Sequence, residues 1–579
     1  MKRSILFASA MLGVALVSTR ALAAPGPEIV AWVYFHDKAA ANKAVPLNVV
    51  SERSLRRRAK VRPANALVDA ADLPLDEAAV ARVAAQITAV RQRSRWLNAV
   101  SVRATAAQLA AVAELPEVRR VEPVARYRRR AAEEAPVEAP PSPPPSRQRR
   151  TTGLDYGASL GQLQLLNVPP LHAQGLTGAG VLIAHCDNGY RLLSHTALAA
   201  TQVVATHDFV DGDTDPAPPA GSPSGWGAHG ISTLSTLSGF APGELIGVAY
   251  EASYALARTE NDASETPLEE DNWIAAIEWA DSLGADVAST SLGYLDYDPP
   301  FTSWTWEDMD GNTAAITIAA DLAVERGIVV VNSAGNAGEA EHNTLLAPAD
   351  GDLVLTVGAI DAAGERASFS SVGPTTDVPA RFKPDVMAPG VLVHVARTMS
   401  VDHYGNSSGT SLSCPLTSGV VALLLQAHPN ATPAQIHAAL RSTADNASSP
   451  DNLRGWGTVN AVAALGWLQA SDSEPPTATA PLAWRLAPAA PNPFNPTTRI
   501  EYVVARPTLV TLRILDPRGR AVRTLVQEAQ RAGEQAVRWN GTGDDGRRVA
   551  SGVYLARLDA LDGSQRTLYS ATRKLVLAK

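Results

Sequence analysis

The sequence predicts an α/β protein with a mostly parallel sheet covered by helices on both faces, preceded by a small α+β domain and followed by a small β-sandwich. In residues 153–470 short apolar runs alternate with helical patterns, which is typical of such a sheet. Residues 28–124 read strand–helix–strand–helix–strand. Residues 485–579 contain strand-like runs between Gly/Asp turns. A chain of 579 residues is long enough for several such units.

The first 23 residues have the pattern of a secretion signal. Lys2 and Arg3 precede an apolar stretch from Ile5 to Val17, and Ala21-Leu22-Ala23 is a small-residue cleavage site. The alternative is a membrane anchor, but the apolar stretch is shorter than the roughly 20 residues that a spanning helix needs. We therefore predict an exported protein, extracellular or held at the cell surface.

Residues 24–130 form the predicted α+β domain. Residues 28–35 resemble a strand, and apolar residues at helical spacing predict a helix over 77–93. A strand at 97–103 follows, then a helix over 106–114 that Thr105 can cap, and a strand at 118–124. This order gives one small sheet with two helices.

Residues 131–152 form a predicted linker because their Ala, Pro and Glu content cannot build a core. Arginines flank its Ala/Pro/Glu-rich part, residues 131–146, on both sides, which indicates either a site of proteolytic cutting or a solvated run of charge. Residues 24–150 carry 22 basic and 13 acidic side chains, whereas residues 151–470 carry 9 and 35. Opposite net charges of this size predict that the two parts attract each other.

In the central part, residues 181–184, 287–291, 328–331 and 353–357 are predicted strands, and residues 272–283, 313–326 and 412–427 are predicted helices. Residues 471–484 form a second predicted linker. In the C-terminal domain, 485–579, the predicted strands are 498–503, 509–515, 535–539 and 552–558.

Four short segments of the central part stand out together. Asp187 ends a predicted strand, where parallel sheets place their ligand sites. His229 opens a helix-like run after Trp226-Gly227-Ala228, and Asn336 follows Val329–Gly335. Ser411 lies in Ser408-Gly409-Thr410-Ser411-Leu412-Ser413-Cys414-Pro415, before an apolar helix whose first turn suits Pro415. Each segment alone has an ordinary structural explanation, but their joint order does not.

The order Asp…His…Ser with these flanking residues resembles the subtilisin-like serine peptidases, over about residues 175–465. The resemblance implies that Ser411 is the nucleophile, His229 the general base and acid, and Asp187 the residue that orients the imidazole. It also implies that Asn336 holds the oxyanion with the N–H of Ser411. Two departures stand beside the motifs: Asn188 replaces the usual Ser or Thr after the Asp, where its amide could donate instead, and Gly230-Ile231-Ser232 follows His229.

The resemblance further implies an extended peptide substrate added to a strand edge. The predicted substrate-binding residues are Ser291, Leu292 and Gly293, with Ser333, Ala334 and Gly335 as the facing wall. No cofactor is needed for this chemistry, but family members often bind structural Ca²⁺. Asp208, Asp211, Asp213 and Asp215 alternate in one loop and could ligate it, or could be solvated turn residues.

The only two cysteines, Cys186 and Cys414, are interpreted as small core residues, with a disulfide or a functional thiol as alternatives. Residues 28–124 resemble an inhibitory pro-domain by position and size, so the chain's own N-terminal domain is a predicted partner. The C-terminal segment containing Ala490–Thr498, Trp539-Asn540-Gly541 and Ala550–Tyr554 resembles Ig-like modules, similar to flagellar hook-capping and type IX sorting domains. This implies export machinery or a cell surface as partner, with an inert stabilising module as the alternative.

The leading hypothesis is therefore an exported serine endopeptidase acting on protein or peptide. A catalytically silent surface-binding protein on the same scaffold is the second. An esterase has less support because Ser411 does not stand in a G-x-S-x-G elbow and the usual triad order of that class, Ser…Asp…His, differs from the order here. Nucleic-acid binding has only the basic N-terminal part in its favour.

Overall fold

The computed structural model describes residues 28–123, 153–473 and 484–578, with gaps at 37, 39–46, 299–300, 302, 488, 490–491, 493, 495–496, 506–507, 531–532, 545–546 and 562–566. The predicted signal segment 1–23 and linker 131–152 lie outside the described residues, as does most of the predicted linker 471–484. The described residues form two compact units, which divide at residues 470 and 471.

The N-terminal region, residues 28–123, is one antiparallel sheet in the order β2-β3-β1-β4 with helices on one face. Its elements are β1 Glu28–Phe35, α1 Glu52–Arg58, α2 Glu77–Ala84, β2 Ala89–Ser94, β3 Ala99–Thr105, α3 Ala106–Ala113 and β4 Val118–Pro123. Thr105 caps α3 with a reciprocal bond from Gln108, as predicted.

The predicted helix over 77–93 was wrong in its second half. Helix α2 ends at Ala84, and residues 89–94 are the edge strand β2, paired with β3. Ile87 and Val90 fit the apolar face of a helix and the alternation of a strand equally well, so pairing with β3 decided the outcome. Helix α1 was not predicted, because its sequence Glu-Arg-Ser-Leu-Arg-Arg-Arg has almost no apolar face.

The central region, residues 153–473, contains a seven-stranded, fully parallel sheet in the order β13-β12-β11-β10-β5-β9-β6. Its strands are β5 Leu182–Asp187, β6 Gln202–Asp208, β9 Ser253–Arg258, β10 Val287–Thr290, β11 Val329–Ser333, β12 Leu355–Ile360 and β13 Val386–Pro389. Two short hairpins are β7 Phe240–Ala241 with β8 Leu245–Ile246, and β14 Val393–Ala396 with β15 Tyr404–Ser407.

Helices cover both faces of this sheet. They are α4 Leu160–Leu165, α5 Pro169–His172, α6 Ala228–Ser238, α7 Pro267–Leu283, α8 Ala315–Glu325, α9 Thr410–Ala427, α10 Pro433–Ser442 and α11 Ala461–Ser473. Helices α6 and α9 pack with Ile183, Val329 and Val331 on one face. Helices α7 and α8 pack with Ala184 and Val330 on the other, so neighbouring residues of a strand enter different cores. The predicted α/β architecture is confirmed.

Helix α9 runs through the centre of one core. It is the one helix of the described residues that is long and apolar enough, by length and composition, to cross a membrane, yet 83% of that window is buried inside the structure. The prediction for Pro415 was wrong. Helix α9 begins at Thr410, so Pro415 lies in its second turn, two residues past the four N–H groups that need no partner within the helix.

The N-terminal region meets the central region at two places. Val30, Trp32 and Tyr34, on the side of β1 facing away from the region's own helices, share a core with α7 and α8. Helix α1 docks separately: Arg57 donates to the carbonyls of Ala285 and Arg326, in the loops that precede β10 and β11. Helix α1 therefore lies at the amino edge of the parallel sheet.

The C-terminal unit is a sandwich of two antiparallel sheets, in the orders β16-β17-β20 and β19-β18-β21-β22. Its strands are β16 Arg485–Leu486, β17 Thr498–Val504, β18 Thr508–Leu515, β19 Ala521–Gln530, β20 Gly533–Trp539, β21 Gly552–Leu561 and β22 Thr567–Leu577. Ile500, Leu512, Trp539 and Ala556 are buried between the sheets. The four predicted strands are present, and β16, β19 and β22 were missed.

Candidate active site

Four of the predicted site residues lie at or beside the carboxyl edge of the central sheet. Asp187 is the last residue of β5, and Asn336 follows the end of β11 by three residues. His229 and Ser411 are each the second residue of a helix, α6 and α9 respectively. All seven strands are parallel, so their carboxyl ends share one edge, where open α/β sheets place their sites.

Asp187 and His229 form a direct hydrogen bond, with Nδ1 of the imidazole 2.6 Å from Oδ1 of the carboxylate. The Asp187 side chain is fully buried, whereas the His229 side chain is 38% exposed. Burial alone raises the pKa of Asp187, but the charge and hydrogen bond of His229 hold that pKa below its ordinary value. The carboxylate is therefore ionised, and it fixes which nitrogen of His229 faces away from it.

Ser411 and Asn336 converge on one point above Gly409. A side chain on Gly409 would begin 2.9 Å from Ser411 Oγ and 3.6 Å from Asn336 Nδ2, and Gly409 has a φ of +151°. The orientation of the Asn336 amide follows from Thr410, whose N–H and hydroxyl both donate to Asn336 Oδ1, at 2.9 and 3.0 Å. Nδ2 is thereby left as a donor on the side of the nucleophile.

Comparison with known proteins shows the family to which the central region belongs. The model described as the Subtilase family matches residues 178–457. Subtilisin DY of Bacillus licheniformis is 35% identical over 289 residues, which cover 49% of this chain and 90% of that relative. The chain belongs to the subtilase family of serine endopeptidases. The predicted resemblance is confirmed.

Further matches cover the central region or the two flanking regions. Subtilisin NAT of Bacillus subtilis subsp. natto is 36% identical over 48% of this chain, and the match spans 64% of that relative's length. The solved MycP3 protease from the type VII (ESX-3) secretion system is 25% identical over 55% of this chain and 90% of that one, with a TM-score of 0.44. Models for a Peptidase S8 propeptide domain, Bacteroidota, and a FlgD Ig-like domain match residues 30–137 and 497–564.

The donors that hold the buried Asp187 carboxylate differ from the predicted one, the amide of Asn188. The amide of Asn188 does not reach Asp187: its Oδ1 accepts the N–H of Gly230, at 3.0 Å, and its Nδ2 donates to Asp262, at 2.7 Å. The backbone N–H of Asn188 donates to Asp187 Oδ1 instead, at 2.8 Å. The Gly230 N–H, in the first turn of α6, holds the side chain turned away.

Two residues that the sequence reading missed complete this part of the site. Thr233 donates from Oγ1 to Asp187 Oδ2, at 2.8 Å, in place of the hydroxyl that Asn188 lacks. Its position four residues after His229 on a helical run is the signal that could have found it. Asp262 accepts from the Asn188 amide with Oδ1 and from the N–H of Gly227 with Oδ2, the latter at 3.0 Å. It thereby links the end of β5 to the start of α6. No local pattern marks Asp262.

The predicted substrate walls, residues 291–293 and 333–335, follow paired strands, since Thr290 of β10 lies opposite Asn332 of β11. Ser291 donates from its hydroxyl to the carbonyl of Ser411, at 2.7 Å. The N–H of Ala334 donates to Val357 of β12, at 2.9 Å, and that of Gly335 to Thr410 Oγ1, at 3.3 Å. These groups tie the walls to the nucleophile's helix and to the sheet.

The acidic loop does not fit a bound Ca²⁺. Arg258 donates from Nη1 to both Asp208 and Asp211, at 2.6 Å each, so a guanidinium already takes the place that a cation would hold between these two carboxylates. Asp213 and Asp215 accept backbone N–H groups two residues ahead, as solvated turn residues do. Of the two alternatives for this loop, turn residues are the better interpretation.

Cys186 and Cys414 are free and buried. Burial raises the pKa of Cys186 above its ordinary range and that of Cys414 to about 11. Thiols with such pKa values are protonated and unreactive at neutral pH. Their interpretation as core residues is confirmed.

Proposed function

We propose that this subtilase is an exported endopeptidase that hydrolyses peptide bonds through an acyl-enzyme on Ser411. The observation that carries the proposal is the short bond between His229 and the buried carboxylate of Asp187, at the same edge of the parallel sheet as a serine and an amide that meet above Gly409. A surface-binding protein needs no such buried, ionised partner for a half-exposed imidazole.

The reaction follows from these positions. His229 takes the proton of Ser411 as Oγ attacks the scissile carbonyl, and Asp187 stabilises the imidazolium. The oxyanion is held by the Asn336 amide and the N–H of Ser411. Ser411 lies in the first turn of α9, where the free N–H groups of a helix favour negative charge. His229 then gives its proton to the leaving amine, and a water molecule that it deprotonates releases the acyl group.

The N-terminal region acts as the intramolecular inhibitor in this proposal, and cutting falls near residues 130–155. Acidic side chains of α7 support its docking: Asp271 accepts from Ser101, and Glu278 accepts from Ser94 and from the N–H groups of Arg95 and Trp96. Arg95 also forms an ion pair with Glu278, and Arg57 with Asp281, in agreement with the opposite charges of the two regions. The same proposal includes the bounds of the two domains, 24–130 for the inhibitory pro-domain and 153–470 for the peptidase domain.

The C-terminal unit is proposed to sort the protein or attach it to the cell surface. Fusing residues 485–579 to a reporter tests this: surface retention of the reporter is expected. Unchanged export and no retention would favour an inert module.

A serine-reactive peptidyl phosphonate tests the catalytic proposal. We expect it to label the wild-type chain and Ser408→Ala, a matched control for an exposed serine of the same segment, but not Ser411→Ala. Mass spectrometry of the labelled peptide locates the adduct. Labelling that survives in Ser411→Ala, or no labelling and no peptide hydrolysis in the wild type, would contradict the proposal and favour the silent binding protein.

A further inference from the structure

Leu346 occupies the space between the two substrate walls. A side chain on Gly293 would begin 2.7 Å from Leu346 Cβ and 2.8 Å from its Cδ1. A side chain on Gly335 would begin 2.8 Å from Leu346 Cγ and 3.0 Å from the same Cδ1. One methyl group therefore contacts both walls, and the isobutyl group fills the gap between them.

The backbone on both sides of Leu346 holds it in this place. Ala347 exchanges two hydrogen bonds with Tyr294, of 2.9 and 3.1 Å, and the carbonyl of Leu346 accepts the N–H of Ala349 at 2.8 Å. Leu345 and Ala347 are fully buried, whereas Leu346 is half-buried. Buried neighbours and a paired backbone therefore fix the Cα and Cβ atoms of Leu346 beside the walls.

The gap lies beside the reacting atoms. The wall residue Gly335 immediately precedes Asn336 and donates to Thr410, and the other wall begins at Ser291, which donates to the carbonyl of Ser411. A substrate carbonyl placed between Ser411 Oγ and the Asn336 amide directs the side chain of its own residue, P1, toward these walls. The depth of the gap thus limits the size of P1.

We infer that Leu346 truncates this pocket and makes the enzyme selective for small P1 residues, glycine, alanine or serine, over aromatic and long ones. The inference rests on the proposed function and adds the substrate class to it. A branched four-carbon side chain and a phenyl ring cannot share one gap, because protein interiors tolerate overlap of even one methylene poorly.

The test uses two peptide substrates that differ only in alanine or phenylalanine at P1. We expect the wild type to cleave the alanine peptide at least about 100-fold better in kcat/KM. Leu346→Ala should raise kcat/KM for the phenylalanine peptide, relative to that for the alanine peptide, at least about tenfold. Leu346→Gly should raise this ratio of kcat/KM values further, and Leu346→Val should raise it less. Leu353→Ala is the matched control, a partly exposed leucine before β12 at the opposite edge of the sheet.

Active enzyme is counted by titration with a glycine phosphonate, which needs no P1 pocket, so a misfolded fraction does not enter the ratio. A wild type that cleaves both peptides within about threefold, or a ratio that Leu346→Ala and Leu346→Gly leave unchanged, overturns the inference while the titrated Ser411 upholds the endopeptidase. Absence of titration and of hydrolysis of either peptide overturns the proposed function itself.

Discussion

Thr233 donates its hydroxyl to Oδ2 of Asp187, at 2.8 Å, while His229 bonds Oδ1 of the same carboxylate. The hydroxyl also lies 3.0 Å from the carbonyl of His229, but it has one proton, and the ionised oxygen is both the nearest and the strongest acceptor. Asp187 is thus held on both oxygens, one bond coming from the residue that it orients and the other from the next turn of the same helix.

Replacing Thr233 with valine removes this donor and keeps the shape. Because a hydrogen bond to a buried charge is worth about 1.5–3 kcal/mol, kcat/KM should fall about 10–100-fold. Thr233→Ser keeps the hydroxyl and should stay within about threefold. Steady-state kinetics on the alanine peptide checks this, and equal losses in the two variants would contradict the role of the hydroxyl.

Asp262 is expected to act as a positioning residue for His229. Asp262→Ala releases both the Asn188 amide and the N–H of Gly227, and so loosens the start of α6 against β5. We expect kcat to fall about tenfold with KM nearly unchanged, since His229 shifts and the substrate walls do not. Asp215→Ala, at an exposed turn, is the control. A loss confined to KM would show that Asp262 contacts the substrate instead.

Arg58 should stabilise the full chain through two buried carboxylates. It donates to Asp72 at 2.7 and 2.8 Å and to Asp281 at 2.5 Å, and the three side chains are fully buried. In a chain carrying Ser411→Ala, Arg58→Ala should lower the free energy of unfolding by about 3–5 kcal/mol, because it leaves two buried charges without this partner. Urea denaturation measures the loss.

Arg56→Ala is the matched control for Arg58, on the same helix. The Arg56 side chain is 73% exposed and 4.0 Å from Glu52, so its removal should cost less than about 0.5 kcal/mol. Equal effects of the two substitutions would show that the buried network does not hold the N-terminal region.

Docking of the N-terminal region should weaken as pH rises. Burial raises the pKa of Asp271 to about 8, against an ordinary 3.8; Arg91 lowers it, and Glu269 and Glu270 raise it further. Its partner is Ser101 of the N-terminal region. When that region leaves, Asp271 meets water and its pKa falls, so docking takes up a proton and is favoured at low pH.

The inhibition constant of a peptide comprising residues 28–123, measured against the processed enzyme, should therefore rise at least about tenfold from pH 6 to pH 8. Asp271→Asn mimics the protonated acid and should flatten this dependence. A constant that is flat in the wild type, or that falls with pH, would contradict the proton uptake.

How much of the site the sequence could predict depended on the distance of each contact along the chain. His229, Ser411 and Asn336 stand in short motifs whose neighbours are adjacent residues. The bond between Asp262 and Asn188 joins residues 74 apart, and Leu346 meets Gly293 through a bridge between separate loops. The hydrophobic periodicity of a sequence does not predict contacts between residues so far apart in the chain. The error at residues 77–93 has the same origin, because β2 exists through its partner β3.

Composition and local pattern by themselves predicted the α/β class and the two flanking domains, and short motifs that resemble the family indicated the four residues proposed for catalysis, because each rests on neighbours within a few positions. Only the tertiary structure decided which groups hold Asp187, what fills the gap beside Ser411 and where Arg258 sits in the acidic loop. Those outcomes are set by which loops the parallel sheet brings to its carboxyl edge, and by the requirement that buried charges find partners there.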